Sequence, residues 1–312
     1  MRRATPLSIL TVAALLGGCS STPAGRPAAT SHTASPSATA SDTPAATAAS
    51  GVPQLDHVVW VLLENRSYNA VIGSSSAPYI NGLVNQGALA TNYFALGHPS
   101  LPNYAGLTSG QSFPNAFSDC SPSVFCQSDA LNIADRLEAA GLTWREYAES
   151  MPGPCGRRNS GSYLVRHNPW VYYTDITGAR CTSHVLTYSS LANDFGSTNT
   201  TPSFSFVTPN ACNNGHDCST ATADNWLSQN LPTILGSPAF TQQRSLLVIT
   251  YDEGSGSNHI PTILAGPSVR AGSSTSATYT HYSLLHTLEL AFGLQPLTEN
   301  DAGAPPIMGI WN

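Results

Sequence analysis

The sequence predicts an α/β protein in which helices cover a mostly parallel central sheet, and three observations lead there. HVVWVLL at 57–63 and SLLVITY at 245–251 are short, continuous apolar runs rich in β-branched and aromatic residues, the pattern of strands buried on both faces. Amphipathic patterns at 129–141, 220–235 and 281–293 supply covering helices. The 312 residues, 41% of them hydrophobic, with 25 glycines and 23 prolines, suffice for one domain with a substantial core.

The elements follow in chain order. Residues 1–19, MRRATPLSILTVAALLGGC, have a basic start, an apolar run too short to span a bilayer and small residues before a cysteine, which reads as an export signal. LGGC resembles a bacterial lipoprotein box, so Cys19 is expected to carry the lipid that anchors the chain to a membrane without a spanning helix; without that lipid the protein is secreted. Residues 20–52 are almost all Ala, Ser, Thr, Pro and Gly, too poor in large apolar side chains to order themselves, and read as a tether to a catalytic domain at 53–312.

Six further cysteines, at 120, 126, 155, 181, 212 and 218, favour disulfides in an exported chain. The sequence permits fifteen connectivities, of which the local pairing 120–126, 155–181 and 212–218 is the simplest. No CxxC occurs, so a cysteine metal site is the weaker account. Formal net charge is −6, which speaks against nucleic acid as a partner. All twelve basic residues are arginine, so lysine-dependent chemistry and a P-loop are excluded.

Each apolar strand runs directly into oxygen-bearing side chains, Glu64 and Asn65 after the first and Asp252 and Glu253 after the second. Ligand crevices in open α/β sheets lie at the carboxyl ends of strands, so the pairs can converge. Such groups suit a divalent metal cation, Mg²⁺, Ca²⁺, Mn²⁺ or Zn²⁺, with oxygen donors favouring the first three. One such pair alone could equally cap the following helix, but for two pairs that both end apolar strands capping is the poorer account. One ion is expected, with Asp217, Asp224, His259 and His281 available to a second. His98, His167, His216, His259 and His281 are expected in loops, whereas His57 and His286 read as packed.

GHPSLPNYAGLTSG at 97–110 sets Ser100 between two prolines in what reads as a loop. Turn chemistry alone accounts for such a serine, and Ser67, Ser109 and Ser112 compete with it as nucleophiles.

HVVWVLLENRSYNAVIG, GHPSLPNYAGLTSG, YLVRHNPWVYY, NACNNGHDC, LLVITYDEGSGSNHIPTILAGP and YTHYSLLHTLELAFGL resemble, in that order, successive motifs of the bacterial phosphoesterase family, which contains acid phosphatases and non-haemolytic phospholipases C. The resemblance covers residues 53–300 and implies an alkaline-phosphatase-like three-layer sandwich, with helices on both faces of the sheet. It implies that Ser100 is the nucleophile and that Glu64, Asn65, Asp252 and Glu253 bind metal. His167 and His216 would line the phosphate pocket, and Asn65, Asn103, Asp217, His259 and His281 would contact substrate. Where this family sometimes carries Asp-Asp, this chain has Asp252-Glu253.

On these residues, Ser100 attacks phosphorus and His167 or His216 protonates the leaving alkoxide. The expected activity is a metal-dependent acid phosphatase acting on phosphomonoesters. A phospholipase C using the same site and a non-catalytic phosphate- or partner-binding domain are the alternatives. The short spacing between ENRSY and HPSLPNY and the lack of a long C-terminal extension after residue 293 favour the first.

Overall fold

The computed structural model describes residues 51–312. The expected signal segment 1–19, the expected lipidation site Cys19 and residues 20–50 of the expected tether lie outside the described residues. The tether was expected to reach residue 52, but Val52 is fully buried in the core, so ordered packing begins earlier than composition indicates.

The described residues form ten strands in chain order: β1 His57–Leu63, β2 Ala88–Ala90, β3 Tyr93–Phe94, β4 Trp144–Ala148, β5 Val185–Thr187, β6 Phe204–Thr208, β7 Ser245–Tyr251, β8 Thr262–Ala265, β9 Ser273–Thr275 and β10 Tyr279–Thr280. Eight of them form one sheet in the order β5-β4-β6-β1-β7-β8-β2-β9, and β3 pairs with β10. Within the large sheet only β8 runs against its neighbours. Strands β1 and β7 are buried at every residue, as their uninterrupted apolar sequences require. Trp60 of β1 packs edge-on against Phe204 of β6, with ring centroids 5.0 Å apart.

Helices pack around the sheet in two sets. Pro78–Gln86 packs against Thr220–Leu235, where the Asp224 carboxylate accepts the backbone N–H groups of Tyr79 and Ile80 at 3.0 and 2.8 Å. Asp224 is therefore a cap of the first turn. Ser100–Ser109 packs against His281–Phe292, with Gly106 facing Tyr282 and the Leu96 side chain. The expected helices at 220–235 and 281–293 match the observed elements closely. The one expected at 129–141 is confined to Ile133–Ala139 because Asn132 caps it in a reciprocal box with Asp135.

The segment read as a loop around Ser100 is instead a helix from Ser100 to Ser109, buried throughout. Its prolines do not break it: Pro99 is the N-cap and Pro102 lies in the first turn, where backbone N–H groups have no intrahelical acceptor. Gly110 ends the helix in the left-handed region at φ 67°. The cysteines pair locally, Cys120–Cys126, Cys155–Cys181 and Cys212–Cys218. Among the described residues, no helix is long and apolar enough to cross a membrane.

Candidate functional site

Adjacent strands bring the two acidic pairs together. Leu63 and Tyr251, the last residues of β1 and β7, are register partners, and the Asp252 N–H donates to Leu63 O at 2.9 Å. The chain then turns at Asn65, in the left-handed region at φ 56°, which aims its N–H at Asp252 Oδ1, 3.1 Å away. Asn65 Nδ2 donates to Glu64 Oε2 at 3.2 Å. The amide nitrogen is thus turned to its neighbour. Glu64 and Asp252 are both fully buried, although 188 residues separate them in sequence.

The buried helix supplies the next layer. Ser100 Oγ, at its first residue, donates to Glu64 Oε2 at 3.0 Å. Tyr104, one turn later on the same face, donates its hydroxyl to Glu64 Oε1 at 2.6 Å and stacks on His167 with ring centroids 5.6 Å apart. Leu101 N–H donates to Asp119 Oδ1 at 2.9 Å.

Two short loops bring the histidines. His167 Nε2 lies 3.2 Å from Glu64 Oε1 without hydrogen-bond alignment, while Asn214 Nδ2 lies 3.2 Å from His167 Nδ1 and Asn214 O accepts the Glu64 N–H at 2.9 Å. His216 is held at both nitrogens: Nδ1 is 2.6 Å from Asp217 Oδ1, and Arg166 donates to Nε2 at 2.9 Å. That pair of contacts selects the tautomer with its proton on Nδ1. Arg166 Nε also lies 3.4 Å from Asp119 Oδ2, tying the histidine to the start of the serine helix.

The electrostatics leave this cluster short of positive charge. Burial, reinforced by the neighbouring Asp252, pushes the Glu64 carboxyl well above the ordinary range. Burial and the charge of Glu253 push Asp252 up to about 7. Burial, with Arg166 and His216 adding to it, holds His167 well below its ordinary value, so its ring is neutral. Asp252 Oδ2 and His167 Nε2 are buried without a hydrogen-bond partner. Buried carboxylates beside a neutral imidazole with orphaned donor atoms fit a missing cation. Glu64, His167 and His216 place their candidate ligand atoms within 4.8 Å of one another.

That donor set differs from the expected one. Glu64 belongs to both, but His167 and His216, expected to line the phosphate pocket and to protonate the leaving alkoxide, stand with it. Glu253 turns away to His98, with Oε2 2.7 Å from His98 Nδ1. Three residues expected at substrate are occupied elsewhere. Asn103 is buried, its Oδ1 accepting from Leu96 and Gly97 N–H and its Nδ2 donating to Gly97 and Pro99 carbonyls. It staples the turn that presents Ser100. His259 stacks on Tyr68 at 4.4 Å and bonds Thr91 O at 2.9 Å. His281 is the buried first residue of its helix, 2.8 Å from Asp252 O and 3.1 Å from the Tyr93 hydroxyl. It supports the Asp252 backbone from behind.

Sequence reasoning missed Tyr104, Asn214, Arg166 and Asp119. Only Tyr104 carried a usable signal, its i+4 spacing from Ser100, and reading the segment as a loop concealed it.

Residues 74–295 match the Phosphoesterase family. A phosphatidylinositol-3-phosphatase from Mycobacterium tuberculosis is 39% identical over 268 residues, spanning 85% of this chain and 85% of that protein. A phosphate-repressible acid phosphatase from Penicillium chrysogenum is 32% identical over 263 residues, which span 80% of this chain and 62% of the fungal enzyme. Among solved structures, a protein of the alkaline phosphatase superfamily from Vibrio parahaemolyticus superposes with a TM-score of 0.56 at 14% identity, over 81% of this chain and 71% of that one. That likeness speaks to the fold.

Proposed function

The chain belongs to the phosphoesterase family, and from that premise we propose that it is an acid phosphatase that hydrolyses phosphomonoesters through a phosphoserine at Ser100. The observation that carries this reading is the Ser100 hydroxyl at the start of a buried helix, 3.0 Å from Glu64 Oε2. A serine hydroxyl needs a proton acceptor to become a nucleophile, and that contact provides one.

Glu64, His167 and His216 would hold a divalent cation, with Asp252 beside them; two imidazoles and carboxylates suit zinc and other first-row ions as well as harder ones. When bound, such an ion supplies Lewis acidity to a phosphoryl oxygen. Ser100 Oγ forms the new bond to phosphorus as the bond to the leaving oxygen breaks, and the serine proton passes towards Glu64. His216, with Nδ1 on Asp217 and Nε2 facing Arg166, has no proton to spare as a ligand of that ion, so the leaving alkoxide takes its proton from water. Water then attacks phosphorus, releasing phosphate and regenerating the serine hydroxyl.

The named phosphatases among the relatives support monoesters over a phospholipase C substrate. The Mycobacterium tuberculosis relative supports a lipid headgroup as the carrier of that phosphate. Three disulfides support export, and a lipid at Cys19 would keep the enzyme at a membrane. Turnover of p-nitrophenyl phosphate tests the reading: Ser100→Ala should lose at least about a thousandfold in kcat while retaining metal uptake. A variant that keeps most of its kcat would remove Ser100 as the nucleophile.

A further inference from the structure

Large apolar side chains gather on one surface loop. Phe117 is 66% exposed, Val124 76% and Phe125 78%, with Leu131 at 55% close behind in sequence. A water-facing loop has no folding reason to carry three such side chains within nine residues. The loop is also held in shape: Cys120–Cys126 closes it, Asn115 Nδ2 donates to Phe125 O, and Cys126 N–H donates to Ser123 O at 2.9 Å.

The same loop reaches the candidate site. Asp119, two residues after Phe117, accepts the Leu101 N–H next to Ser100 and lies 3.4 Å from Arg166, which holds His216. Tyr172 donates to Cys120 O at 2.8 Å. The apolar tips thus share a loop with Asp119, which joins Arg166 at the phosphate site, whereas residues 111–131 themselves contain no basic residue and two aspartates.

We propose that the loop 115–126 docks on a phospholipid surface, its apolar tips entering the acyl region so that a phosphomonoester headgroup meets Ser100. This rests on the phosphatase reading above and names its substrate class, lipid-borne phosphomonoesters. Attachment is apolar in origin, so it needs no anionic lipid and persists in salt. Long-range attraction to a negative membrane is not available to a chain of net charge −6.

Phe125→Trp in the full chain gives a local reporter, because all five native tryptophans are less than 10% exposed. Vesicles of phosphatidylcholine should shift its emission to the blue, and acyl-brominated phosphatidylcholine should quench it, equally at low salt and at about 0.5 M salt. Emission unchanged by vesicles, or a shift abolished by salt, overturns the proposal. The double variant Phe117→Ser/Phe125→Ser should lose roughly tenfold or more of its turnover of phosphatidic acid in phosphatidylcholine vesicles. Its turnover of p-nitrophenyl phosphate should stay within about twofold of the parent, since neither residue touches the site. Equal lipid turnover by variant and parent overturns the docking, as does a loss confined to oligomer formation, which would make a second copy the occupant. A parent that binds vesicles yet hydrolyses neither phosphate ester would refute the phosphatase reading and leave the docking intact.

Discussion

The hydroxyl of Tyr104 donates to Glu64 Oε1 at 2.6 Å, from the turn of helix directly after Ser100. One helix face therefore supplies a hydroxyl to each oxygen of the same buried carboxylate. Tyr104→Phe should keep the fold, because the ring still stacks on His167, but it removes a short bond to a buried charged group. We expect kcat on p-nitrophenyl phosphate to fall about tenfold to a hundredfold and metal affinity to change with it, measured by steady-state kinetics and metal titration. Unchanged values for both would show that Glu64 does not need that bond.

His216 should act through the ion. His216→Gln is expected to weaken metal binding about tenfold to a hundredfold and to lower kcat by a similar factor on p-nitrophenyl phosphate and on an alkyl phosphate. A much larger loss on the alkyl phosphate, whose leaving alkoxide must be protonated, would make His216 the acid instead.

Metal removal should abolish turnover. Dialysis against a chelator is expected to reduce kcat by at least about a thousandfold, with recovery on adding back one divalent ion and a stoichiometry near one by elemental analysis. Full activity after verified removal would refute the cation at Glu64, His167 and His216.

Stability should depend on two acids remote from the site. Burial raises Glu146 to about 8 and Glu289 to about 9. A carboxyl raised on folding contributes its full stability below the unfolded value near 4.5 and loses it as pH climbs towards the folded value. Between pH 5 and 7, Glu146 alone should cost about 2 to 3 kcal/mol of folding free energy. Glu146→Gln should flatten that slope in denaturant titrations; an unaltered slope would mean the group ionises freely in the fold.

The six cysteines of the three bridges should react with alkylating reagent only after reduction. Opening Cys155–Cys181, the longest loop at a separation of 26 residues, should lower stability by about 3 kcal/mol. Six thiols alkylated without reductant would contradict the bridges.

The strands β1 and β7 were legible because burial on both faces demands an unbroken apolar run, and the same rule located Glu64 and Asp252 at their ends. Local disulfide pairing was legible as well, since six- and 26-residue separations close easily. The helix at Ser100 was not, because Pro99 and Pro102 carry a turn signal that is lost only when they fall at the cap and in the first turn.

What the sequence determined by itself was the class of fold and the residue types available for catalysis, for these depend on local periodicity and composition. Which side chains meet depended on pairings across nearly the whole chain. Parallel pairing of β1 with β7 set Asn65 N–H against Asp252, and the buried helix then brought Ser100 and Tyr104 to Glu64. Tertiary packing also separated His167 and His216, which stand by Glu64, from Asn103, His259 and His281, each of which hydrogen-bonds the backbone of a neighbouring segment. No local rule distinguishes these groups, because a histidine or asparagine has the same sequence signature whether its hydrogen bonds go to the chain or are left for a ligand.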